Sequence, residues 1–215
     1  LGRSAAYNQD PSMTRSLRKT YERKIAKLFL NFERAFRAEL RTRGLEASDP
    51  KITRIDFVDL ANAVAIISDA QIMVPGESII EAMVRDAMKA GNARSIDFLR
   101  SVRVVGTIGD ITVDEQVFKV LRERGIAALK GITDDMGKRI KSELSDGILK
   151  GEGMPKLAKR ISESAGMSRK RAITMARTET MYAFNTASTN EYKRYGVEKV
   201  EWVAALDERM CPKCG

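Results

Sequence analysis

Apolar residues recur through the first forty positions at Leu17, Tyr21, Ile25, Leu28, Phe32, Phe36 and Leu40, in steps of four and three. That is the period of one helix face and predicts a single long amphipathic helix. Asp10-Pro11-Ser12 punctuates its start, Thr42-Arg43-Gly44 closes it with a C′ glycine, and Ala47-Ser48-Asp49-Pro50 reads as a loop. At ~1.5 Å per residue such a helix is roughly 45 Å long. A small domain needs less for its own core, so part of it is expected to project. Asp56 to Met73 again has helical spacing, Val74-Pro75-Gly76 reads as a turn, and Glu77 to Ala90 as a second helix ended by Gly91. These two form a predicted hairpin. From Asn92 to Asp110 the periodicity fades into SVRVVGTIGD, a short strand or an extended connector, and a domain boundary is placed there.

Three further helical stretches follow, Val113 to Lys130, Asp134 to Lys150 and Pro155 to Ala165, separated by Gly131, by Gly151-Glu152-Gly153 and by Gly166. Pro155 occupies the first-turn position that tolerates a missing N–H. Ser168 is the predicted cap of a last long helix through Tyr195, with Gly196 as its C′ residue. Val200, Trp202 and Ala204 then alternate with Glu201 and Val203, which predicts a strand. The expected fold is mainly α: a long basic N-terminal helix over 1–46, a helical hairpin and connector over 47–110, and a region over 111–215 whose end is a small α+β portion with the late strand.

Composition agrees with a helical globular chain. Of 215 residues 43% are hydrophobic, 31% charged and only 6% aromatic, with five prolines. No uninterrupted apolar run approaches the ~18 residues of a membrane span, since Leu60 to Ile67 is short and broken by Asn62, so no bilayer crossing is expected. The opening LGRSAAYNQDP lacks the apolar stretch of a signal peptide and the end stops inside CPKCG, so the chain reads as an excerpt of a longer one.

Charge is unevenly placed. Between Met13 and Arg43 stand ten basic residues, Arg15, Arg18, Lys19, Arg23, Lys24, Lys27, Arg34, Arg37, Arg41 and Arg43, against Glu22, Glu33 and Glu39, a balance of +7. Gly44 to Leu99 carries five basic and nine acidic residues, a balance of −4. The first eight of those cations are candidate contacts to nucleic acid or to an acidic protein surface; the competing reading is an ordinary solvated helix face.

The chain has no histidine, which removes Ser-His and Cys-His nucleophilic catalysis and imidazole acid-base chemistry. Cys211 and Cys214 have the spacing of half a zinc site. Two sulfurs alone do not complete a tetrahedral shell, so no cofactor is expected unless ligands beyond residue 215 contribute. On the last helix Ala172, Ala176, Glu179, Ala183 and Thr186 fall on one stripe. A carboxylate among such small neighbours is expected to pair with an arginine or with backbone donors, because burying it unpaired would cost several kcal/mol. Residues 151–182 also outline a helix-turn-helix, with Arg169, Lys170 and Arg171 opening its second helix.

The order of motifs carries a resemblance: Arg177 and Glu179 within Ala176 to Thr180 (ARTET), Asn185, Gly196-Val197, Trp202, then Asp207-x-Arg209-x-Cys211-x-x-Cys214. It resembles the head-morphogenesis family of tailed bacteriophages, the minor capsid proteins similar to the F protein of phage Mu. The likeness is strongest from about Val113 onward, and the basic opening from Asp10 is alike in composition. Met210 departs from the small polar residue usual there, and the chain stops before the Gly, His or Cys that commonly follow. The resemblance implies a non-enzymatic virion component present in few copies inside the capsid near the portal vertex. Its implied partners are the portal protein, possibly the major capsid or scaffolding protein, and packaged double-stranded DNA. Two other readings stay open: a helical DNA-binding protein unrelated to capsids, and the first part of an enzyme whose catalytic domain lies beyond residue 215.

Overall fold

A computed structural model describes residues 14–43, 54–102 and 112–199. The chain order is α1 (Arg15–Thr42), α2 (Arg54–Ser68), a π-helical segment (Asp69–Met73), α3 (Val74–Ser101), α4 (Glu115–Leu149) and α5 (Met154–Arg194). No described residue forms a strand, and the strand expected from Val200 to Ala204 lies outside the described residues. One core draws on every helix: Tyr21, Ile25, Phe29, Phe32, Phe36 and Leu40 of α1, Leu60 and Val64 of α2, Ile72 of the π segment, Ile80 and Met83 of α3, Leu129 and Met136 of α4, Leu157 and Ala176 of α5. α5 is the axis of the assembly and packs on α1, α3 and α4.

The first helix forms where the apolar spacing places it. It does not project: its spine is buried from Tyr21 to Leu40, so nearly all of its length is covered on one side. Phe32 and Phe36 stack with centroids 6.0 Å apart. At the N-terminal end the Tyr21 hydroxyl donates to the Asp86 carboxylate of α3. Burial, and then that carboxylate, push the Tyr21 hydroxyl pKa upward.

The hairpin expected around Val74-Pro75-Gly76 is absent. α2 runs through the π segment into α3 with Ser68 and Val74 both in helical backbone geometry. Pro75 has no N–H to donate, and its ring crowds the carbonyl four residues back. The chain absorbs this by widening one turn, so that the Val74 N–H bonds to the Asp69 carbonyl, five residues back. Gly76 is then buried mid-helix, where a Cβ would stand 2.4 Å from Leu129 Cδ2. Gly91, Gly131 and Gly166 likewise end nothing, because α3, α4 and α5 continue through them. Ser168, expected as a cap, is buried in the middle of α5. The helix-turn-helix outline over 151–182 therefore dissolves into one straight helix.

The termini that do form follow ordinary capping. Asp114 accepts from the N–H groups of Gln116 and Val117 at 2.9 and 3.0 Å and starts α4. Gly151 and Gly196 adopt φ of 63° and 76° after α4 and α5, the left-handed C′ position that glycine takes without steric cost. Arg160 closes the α4–α5 turn by donating to Glu152 at 2.8 and 2.9 Å and to Glu143 at 2.6 Å. That guanidinium lowers the pKa of the Glu152 carboxyl.

The expectation that nothing here is apolar enough to cross a bilayer needs correcting. Counting unbroken runs misses that the helical stretch Phe57–Ser101 contains an 18-residue window of mean hydropathy 1.5, of which 33% is buried. The same stretch supplies Leu60, Val64 and Ile72 to the core.

Candidate functional site

At 100° per residue, Lys19, Arg23, Lys27, Arg34, Arg37 and Arg41 fall on one side of α1, with Arg15 at its edge, opposite the buried spine. All are exposed, as is Lys24, whose ammonium sits 4.8 Å from the Tyr21 ring centroid at the margin of this face. Arg18 is half-buried. Arg15, Arg18 and Arg41 also interact within the chain.

The acids of α1 do not neutralise this face as a whole, because each is engaged elsewhere. Glu22 accepts from Arg177 of α5 at 2.8 Å, Glu33 from Arg37 at 3.0 Å and Glu39 from Arg43 at 2.7 Å. Arg37 also donates to the Ser162 hydroxyl at 2.8 Å. The anionic segment that follows contributes one bridge to α1 among the described residues, Arg43 to Asp59 at 3.5 Å. Lys19, Arg23, Lys27 and Arg34 make no ion pair among the described residues, and they span roughly 22 Å of helix. The sequence reading of one face packed and the other cationic thus describes α1 as it stands.

Behind that face, the Arg177–Glu179 part of the ARTET motif joins three helices. Arg177 reaches sideways to Glu22 and so fixes α5 to α1; the same contact raises the Arg177 pKa. Glu179 points the other way, 7% exposed, and accepts from Arg124 Nε of α4 at 3.2 Å. Burial holds its carboxyl above the usual carboxylate range, and the Arg124 guanidinium opposes that shift. Arg124 in turn lies flat over the exposed Tyr182 ring, 3.8 Å from its centroid. Thr180 is fully buried and returns its hydroxyl to the Ala176 carbonyl at 2.7 Å. The stripe Ala172, Ala176 and Ala183 is buried, as its small residues predict, and the expected arginine partner of Glu179 is present. Glu22, Arg124 and Tyr182 complete the arrangement and carry no signal in the sequence, since they come from distant positions with common side chains.

Residues 138–215 match the family model described as phage Mu protein F like protein. The resemblance of the motifs to that head-morphogenesis family holds over this stretch. It begins within α4, later than Val113, and includes all of α5, so Arg177 and Glu179 lie inside it, whereas α1, Glu22 and Arg124 lie before it. Neither the curated proteins nor the solved structures compared with the chain gave a match. Of the other F-like motif residues, Asn185 is exposed on α5. Trp202, Asp207, Arg209, Cys211 and Cys214 lie outside the described residues, as does any half zinc site. Among the described residues no group of three or more His, Cys, Asp or Glu side chains is placed to hold a metal ion.

Proposed function

We propose that this is a non-enzymatic minor head protein of a tailed phage, bound at or near the portal on the inside of the capsid, whose α1 contacts packaged double-stranded DNA without reading its sequence. The F-like match supports a phage head role. The observation that carries the DNA contact is the row Lys19, Arg23, Lys27 and Arg34, exposed and without ion pairs on a helix whose opposite side is locked into the core. A rigid line of cations displaces counterions from a phosphate backbone, which supplies affinity independent of base sequence. The ARTET struts to α1 and α4 keep that line straight. The role is in head assembly and in packaging or ejecting the genome, with the portal protein, and a capsid or scaffolding protein, as protein partners. A bilayer is not among the proposed partners, because inserting α2 would pull Leu60, Val64 and Ile72 from the core.

A second reading gives the same face an acidic rim of the portal as its partner. Changing Lys19, Arg23, Lys27 and Arg34 to Gln separates the two. Normal incorporation into heads with weakened DNA binding supports the genome contact, and lost incorporation with intact DNA binding supports the portal. If neither changes, α1 has an ordinary solvated face and the proposal is wrong.

A further inference from the structure

Between the α2–π–α3 helix and α4 lies a cleft of about 530 Å³, away from the cationic face of α1. Its walls include Val64, Ala65, Met73 and Ile126, and its charged rim is sorted by sign. Asp69 and Glu77 stand on the α2–α3 wall, and Lys130, Lys138 and Lys141 on the α4 wall, where Lys130 is already held by Asp134 at 2.8 Å. Asp69, Glu77, Lys138 and Lys141 make no ion pair among the described residues, so opposite charges line the two walls without meeting.

Two further features point to an occupant. Ser68 also lines the cleft; it is 6% exposed, and its hydroxyl has no hydrogen-bond partner. A buried hydroxyl without a partner is costly, and a bound polar group would satisfy it. Gly137 also lines the cleft, inside α4, with no atom within 4 Å of where a Cβ would be. The comparable glycines Gly76, Gly125 and Gly147 each receive a side chain, from Leu129, Ile80 and Leu157. Gly137 is a hole of the same kind that nothing in the described chain fills. Along the outer side of the adjoining helix Val58, Ile66 and Val74 are 50, 69 and 64% exposed, an unusual amount of apolar surface to leave in water.

We propose that this cleft docks an amphipathic helix of a partner protein. The helix presents an apolar side chain to the Gly137 hole and a central Asn or Gln to the Ser68 hydroxyl. It carries acidic residues toward Lys138 and Lys141 and basic residues toward Asp69 and Glu77. The sorted charges favour such a helix over a lipid surface, since acyl chains would leave all four ions unsatisfied. The inference is independent of what α1 contacts.

The probe is a fluorescent 18-residue helical peptide with one apolar stripe, a central Asn, Glu along one flank and Lys along the other, titrated against the full chain by anisotropy. A control peptide has Gln on both flanks. The charged peptide is expected to bind at least about tenfold more tightly than the control. Lys138→Glu with Lys141→Glu, both exposed and harmless to folding, should remove that advantage. Adding Asp69→Lys and Glu77→Lys should restore it, because the peptide then seats in the reverse direction. Gly137→Leu should weaken both peptides. Equal binding of the two peptides, indifference to the double reversal, or a preference of the wild-type chain for phosphatidylcholine vesicles over the peptide would each overturn the proposal.

Discussion

α1 and α5 lie side by side and solve the packing problem in opposite ways. α1 buries large side chains, with four aromatic residues among its seven buried positions, and every cation on it is kept outside the core. α5 buries small ones, Ala165, Ala172, Ala176, Ala183 and Ala187, and lets its neighbours come close instead. At the α3–α5 crossing this closeness is extreme: a Cβ on Gly91 would stand 2.4 Å from the Phe184 carbonyl oxygen. The Ser95 and Ser188 hydroxyls both donate to the Gly91 carbonyl there, at 3.0 and 3.1 Å. A helix of large residues contributes burial and can carry an independent outer face. One of small residues contributes proximity, and its polar residues become struts.

The contrast is sharpest in core truncation. Phe32→Ala in α1 removes a fully buried ring and is expected to destabilise the chain by about 3 to 5 kcal/mol. Ala176→Gly in α5 should cost far less, about 1 kcal/mol, mostly through helix propensity. Chemical denaturation of both variants checks the ranking, and equal losses would erase the distinction. Addition tests it from the other side. Gly91→Ala forces a methyl against backbone and should destabilise by about 1 to 3 kcal/mol. If Gly91→Ala leaves the melting temperature unchanged, the close crossing is not as drawn.

Glu179 gives a smaller effect with a definite sign. Its carboxyl pKa is raised by folding, so the native chain holds that proton more tightly than the unfolded chain does. The stability from this is complete below the ordinary glutamate pKa and is lost as pH rises through the raised value. Glu179→Gln should therefore flatten that decline and leave stability at neutral pH unchanged or slightly higher. A clear loss at neutral pH would mean that the pair with Arg124 outweighs burial. The smallest change expected is a gain: Gly131→Ala, in open space within α4, should add about 0.5 to 1 kcal/mol.

These cases also show what the sequence could and could not reveal. α1 was legible because its apolar residues are large, regularly spaced and set against charges, so periodicity and burial coincide. The ends of α4 and α5 at Gly151 and Gly196 were legible because a C′ glycine has a local cause. Gly76, Gly91 and Gly166 have no such local cause. The first two make room for another helix, which single-chain spacing does not register. Pro75 misled in the same way, because a π-helical turn absorbs the lost hydrogen bond without breaking the helix. In the candidate site the cations of α1 and the pairing of Glu179 could be anticipated. The identity of Glu22 and Arg124 as the strut partners could not, since nothing local marks them.

The central claim is that α1 presents a cationic line to DNA while its other side is fixed in the core. The most direct test is the salt dependence of double-stranded DNA binding by the full chain and by the Lys19→Gln, Arg23→Gln, Lys27→Gln, Arg34→Gln variant, with folding checked by circular dichroism. The account predicts sequence-indifferent binding whose log–log salt slope falls in magnitude by roughly 0.9 for each phosphate contact removed, up to four in the variant. A variant that binds DNA with the same affinity and the same slope as the parent chain would contradict it.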